Sequence, residues 1–65
     1  MVEIWDVVGG GLLGKYESVA ESLAVLREYL SDEGSEYVAG MALCDQSVGL
    51  ALIGDALVDY LRALG

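Results

Sequence analysis

Three consecutive glycines, Gly9-Gly10-Gly11, sit between two apolar runs and constrain everything that follows. Before them, Val2-Glu3-Ile4-Trp5-Asp6-Val7-Val8 is rich in the β-branched and aromatic residues that suit a pleated strand. After them, Leu12-Leu13-Gly14-Lys15-Tyr16 reads as a returning strand. The glycines supply the positive-φ positions that a tight hairpin turn needs. Gly14, inside the second strand, predicts a bulge or a close backbone approach. In the first strand Val2, Ile4 and Val8 share a face with Asp6, and Glu3, Trp5 and Val7 share the other. Apolar groups on both faces predict that both are covered, one by a helix and one by a partner.

The hairpin leads into Ser18-Val19-Ala20-Glu21, the signature of a capping box. A helix is expected from Val19 to Ser31 or Asp32, with Gly34 ending it at a position suited to the left-handed conformation. At about 100° per residue, Val19, Leu23, Leu26 and Leu30 form one stripe, and Glu21, Glu28 and Asp32 form another on the opposite side. Val25 and Tyr29 lie on a flank between the two, where they can pack within the subunit or belong to an interface. The interface is favoured, because the chain is already rich in apolar residues.

Residues 36–44, with Tyr37 to Leu43 at their centre, read as a third strand with small residues on both faces. Asp45-Gln46-Ser47 is a turn, and Val48 to Ile53 is a fourth strand whose continuous apolar run suits burial on both faces. Asp55 to Leu64 is a short second helix, with Leu57, Tyr60, Leu61 and Leu64 on its inward face. The expected architecture is a single α+β domain over residues 1–65. It has an antiparallel sheet, the order ββαββα, and the first helix packed on the sheet.

At 65 residues, a chain buries only about 60% of the surface its unfolded form exposes, so its stability is marginal unless reinforced. Cys44 is the one cysteine and there is no histidine, which removes internal disulfides and the commonest metal ligands. Yet 55% of the residues are hydrophobic, when a small domain with much surface should be less apolar than average. Association between copies is the remaining reinforcement, and a homo-oligomer is expected. The candidate interface residues are Trp5, Val7, Val25, Tyr29 and Tyr60.

Eleven acidic residues against three basic ones leave a net charge of −8. Lys15, Arg27 and Arg62 cannot build the basic face that nucleic acid or an anionic membrane requires. No apolar run reaches the ~18 residues of a transmembrane span, and Met1-Val2-Glu3-Ile4 lacks the basic start of a signal peptide. A lone cysteine suits a reducing compartment, so a cytoplasmic location is expected.

No residue set points to catalysis, a cofactor or a metal. The glycine run differs from a phosphate loop, because a strand rather than a helix follows it and no Lys-Ser/Thr pair does. Cys44 has Asp45 beside it and no base to activate it. The carboxylates Asp32, Glu33 and Glu36, and the pair Asp55 and Asp59, fall on polar faces or in turns and do not match a calcium-loop spacing. Trp5 with Tyr16 suits cross-strand packing, and Tyr29 with Tyr60 lacks the interleaved basic residues of a base-stacking platform.

The series Ile4-Trp5-Asp6, Gly11-Leu12-Leu13-Gly14-Lys15-Tyr16, Ser18, Glu21, Leu26-Arg27, Gly34, Glu36-Tyr37 and Gly54-Asp55-Ala56-Leu57 resembles that of short bacterial proteins of the form W-D-x(n)-G-x-L-L-G-x-Y-x-S-x-x-E. Ser22 stands where those proteins usually carry Ala. The resemblance implies a small bacterial-type protein and brings no activity or site residue with it. The expected role is therefore a non-enzymatic acidic interaction module that forms a homo-oligomer. The alternative is an acidic regulatory inhibitor or antitoxin-like protein that presents Glu21, Glu28 and Asp32 to a basic protein partner.

Overall fold

The computed structural model describes residues 1–64. Its elements are β1 (Val2–Asp6), β2 (Gly11–Tyr16), α1 (Val19–Glu33), α2 (Ser35–Ala39), β3 (Met41–Asp45), β4 (Leu50–Ile53) and α3 (Asp55–Leu64). The strands form one antiparallel sheet in the order β2-β1-β3-β4, so β2 and β4 are its edges.

β1 stops at Asp6, two residues short of the strand the sequence predicts. The Asp6 carboxylate accepts hydrogen bonds from the N–H groups of Val8 and Gly9, both at 3.0 Å, and turns the chain away. Gly10 completes the turn at φ +79°, with its N–H donating to the Asp6 carbonyl at 2.7 Å. The bulge is present, but Leu13 occupies it: Ile4 faces Gly14 while Trp5 faces Leu12. No backbone approaches Gly14 closely: a Cβ there would meet only the Tyr16 ring, 2.8 Å from its hydroxyl, so the neighbour is the end of a side chain.

Ser18 caps α1 by accepting from the Glu21 N–H at 3.2 Å. The return bond differs from a capping box, because the Glu21 carboxylate accepts from the N–H of Glu17 rather than Ser18. The fully buried hydroxyl of Ser22 donates to the Val19 carbonyl at 2.7 Å, so no unpaired polar group enters the core.

The third strand predicted over residues 36–44 is corrected. Residues 35–39 form the helix α2, and the strand covers only Met41–Asp45. Gly34 is not in the expected left-handed conformation: at φ +93° and ψ 172° it is extended, so the chain bends sharply after α1 and restarts as a helix. That restart carries Val38 into full burial.

One buried cluster unites all three helices with the two central strands. It contains Val2 and Ile4 of β1, Met41 and Leu43 of β3, Leu26 of α1, Val38 of α2, and Leu57, Val58 and Leu61 of α3. The inward stripe of the last helix is thus Leu57, Val58 and Leu61; Tyr60 and Leu64, expected inside, are exposed.

Candidate interaction surfaces

Strand register determines which residues lie opposite the buried cluster. Val2, Ile4, Leu43 and Leu52 point toward the helices, so their alternates point the other way. One row on that second face runs Leu12, Trp5, Ala42, Ile53 across the four strands, and the next runs Lys15, Glu3, Cys44, Ala51. No described element covers this face. Leu12 and Ile53 are exposed, Trp5 is half-buried, and its indole N–H donates to Glu3 at 3.3 Å. The expectation that the fourth strand is buried on both faces is therefore corrected: Ala51 and Ile53 are exposed, because β4 closes one edge of a sheet with helices on one side only.

The candidate interface residues do not form a single patch. Trp5 lies on the open sheet face, and Val7 is in the turn just beyond β1, its N–H bonded to the Gly40 carbonyl. Val25 and Tyr29 are half-buried against the core cluster. Tyr29 meets Tyr37 edge-on, with centroids 5.7 Å apart, rather than Tyr60. Tyr60 is exposed on α3. Trp5 and Tyr16 do not pack together, because Tyr16 faces Val2 on the core side and Trp5 faces Leu12 on the open side.

The acidic stripe Glu21, Glu28 and Asp32 is exposed along α1. Glu33, Glu36, Asp55 and Asp59 are also exposed on the helices, against the two basic groups Arg27 and Arg62. On the open sheet face the charged residues are Glu3 and Lys15, which sit opposite each other in register. Charge is therefore concentrated on the helical side, and the sheet side is nearly neutral. Sequence reasoning missed Leu12 and Ile53 as members of the open face. The period-two alternation of Leu50-Ala51-Leu52-Ile53 was the signal available.

Surface clefts run between α2 and α3, lined in part by Glu36, Asp55, Asp59 and Arg62, and between the hairpin and α2, lined in part by Asp6, Leu13 and Tyr37. Among the described residues no group of three or more His, Cys, Asp or Glu side chains is placed to hold a metal ion. Cys44 is half-buried on the open face, between Glu3 and Ala51. No described helix is long and apolar enough to cross a membrane.

Asp45 sits in a marked electrostatic environment. It accepts from the Ser47 hydroxyl at 2.6 Å and from the Ser47 N–H at 3.1 Å, tying the turn that joins β3 to β4. The Ser47 hydroxyl, aided by the Ser47 N–H and the chain's amino terminus, holds the Asp45 carboxyl below the usual aspartate value, against the opposing effect of burial. A depressed folded-state value means that the stabilisation is complete above the ordinary aspartate range and is lost as pH falls through the folded value. Asp45→Asn is expected to be less stable than the parent at neutral pH and to converge with it in acid. Urea denaturation across that pH range checks this, and a constant difference between the two proteins at every pH would refute it.

In comparisons with known proteins, the chain matches no family model, no curated protein and no solved structure.

Proposed function

We propose that the protein is a small acidic interaction module that works as a homo-oligomer in the cytoplasm rather than as a catalyst. The observation that supports this is the separation of charge from apolar surface. The exposed carboxylates crowd the helical side, while the open sheet face is apolar apart from one Glu–Lys pair. Copies that meet through sheet or strand surfaces keep the acidic faces of their α1 helices apart, which limits the repulsion that a net charge of −8 would otherwise impose. Packing of the first helix on the sheet keeps α1 and its carboxylates on the outer side of such an assembly. Light scattering over a dilution series is the test. A dimer or larger species at micromolar concentration is expected, and a monomer throughout would overturn the reading.

The concentration of Glu21, Glu28, Asp32, Glu33 and Glu36 on α1 and α2 favours a second reading, in which the helical side binds a basic protein. Such a complex associates by electrostatic steering, so its on-rate falls steeply with added salt. An on-rate indifferent to salt, or unchanged by Glu28→Lys with Asp32→Lys, would dismiss it.

A further inference from the structure

The two edges of the sheet differ. β2 carries a bulge at Leu13, a glycine and Lys15, devices that discourage pairing with another strand. β4 is Leu50-Ala51-Leu52-Ile53, without charge, proline or bulge, and in unbroken register with β3. Gly54 donates to the Met41 carbonyl at 3.0 Å, which makes that pair hydrogen-bonded. Alternation along an antiparallel ladder then directs the N–H and C=O groups of Ala51 and Ile53 away from β3. No hydrogen bond described outside the ladder uses these four groups.

The helix beside this edge repeats the pattern. Leu61 and Arg62 of α3 line a groove with α1, and Val58, Asp55 and Asp59 line the cleft with α2. At about 100° per residue, Tyr60 and Leu64 fall on the flank of α3 away from α2, with Ala56 and Ala63 on its outward crest. All four are exposed and none is charged.

We infer that two copies of this chain pair antiparallel through β4 about a twofold axis at Leu52, with the α3 flanks packing across the same axis. This rests on the self-association reading and specifies its surface. The free groups sit at two positions symmetric about Leu52. A twofold copy therefore places Ala51 opposite the partner's Ile53, and the converse, forming four hydrogen bonds and leaving none of these groups unpaired. A register shifted by one residue would set these groups against backbone already committed to β3. A foreign strand could satisfy the edge alone, whereas a second copy also brings the exposed Tyr60 and Leu64 of each α3 against the other subunit. The acidic residues of α3 lie on its other flank, so two like-charged subunits meet through uncharged surface. The product is an eight-stranded sheet whose open faces join, bringing the two Leu12-Trp5-Ala42-Ile53 rows into one platform.

The test uses the full chain. Leu52 and the partner's Leu52 would form a non-hydrogen-bonded pair with Cα atoms about 4.5 Å apart, within disulfide reach. C44S/L52C is expected to convert to a covalent dimer under mild oxidation, seen on a non-reducing gel. Ala51→Pro removes an outward N–H and no bond to β3, so it should weaken self-association about tenfold or more in light scattering with unchanged circular dichroism. Trp5→Ser, on the open face, should leave the mass unchanged. A parent dimer that neither cross-links at Leu52 nor responds to Ala51→Pro would overturn the edge interface while leaving self-association intact. Loss of mass in Trp5→Ser alone would overturn it equally. If Ala51→Pro unfolds, the cross-link decides. A parent that is monomeric throughout would overturn both readings.

Discussion

Leu43→Ala is expected to leave most of the protein unfolded at room temperature. Leu43 is fully buried at the centre of β3, between Ile4 on one neighbouring strand and Leu52 on the other. Removing its branched end strips contacts from both sides and leaves a cavity that strands held in a ladder cannot close, at a cost of about 3–5 kcal/mol. A chain of 65 residues has a total stability on the order of 3–10 kcal/mol, with small domains toward the lower end. One substitution can therefore consume most of the margin. Urea titration followed by circular dichroism, at fixed protein concentration because association would add to the apparent stability, is the measurement. A variant that keeps a cooperative transition with its midpoint barely moved would show that the core does not centre on Leu43.

The second large effect is expected at Gly34, from backbone geometry instead of packing. With φ +93° and ψ 172°, Gly34 occupies a region open almost only to glycine. Nothing lies within 4 Å of the position a Cβ would take, so the cost of a side chain there is conformational and not steric crowding by neighbours. Gly34→Ala should lose about 1–3 kcal/mol. Gly34→Asn should do no better, because asparagine tolerates the left-handed helical region and not this extended one. A clear rescue by asparagine would mean that the junction relaxes to an ordinary helix cap and that α2 does not depend on the bend. The same denaturation curves discriminate the two results.

Both predictions bear on association. Gly34 lies at the α1–α2 junction, away from the β4 edge and the open sheet face, so its variant reports on the folded subunit, whereas Leu43 faces Leu52 across β3 and β4 and its variant touches both. The β4 and α3 positions report on what the subunit meets. A Gly34→Ala protein that remains folded should retain the oligomeric mass of the parent, and its loss of stability should be separable from any change in assembly.

Much of the local structure was legible. The glycine run marked the hairpin, Ser18 marked the start of α1, and the spacing of Leu23, Leu26 and Leu30 marked its inward side. The misreadings have separate physical causes. Tyr37-Val38-Ala39 carries strand-like residues, and a segment that short takes its conformation from whatever it packs against. Here burial of Val38 and the bend at Gly34 select a helix. The inward side of α3 was displaced by part of a turn, because Tyr60 and Val58 are both apolar and only the position of α1 and α2 chooses between them. Burial of β4 on both faces was inferred from an apolar run that a buried central strand and an unguarded edge share.

The amino-acid order by itself determined where the chain turns, where helices begin, and that a large apolar share must meet an acidic exterior, because these follow from residues close in sequence and from simple composition. Strand order, the exposure of Leu12, Trp5 and Ile53 on an uncovered face, and the free backbone groups of Ala51 and Ile53 were decided only by the tertiary structure. Each depends on which distant segments lie side by side. Neighbour identity in a sheet is a long-range choice that local preference leaves open.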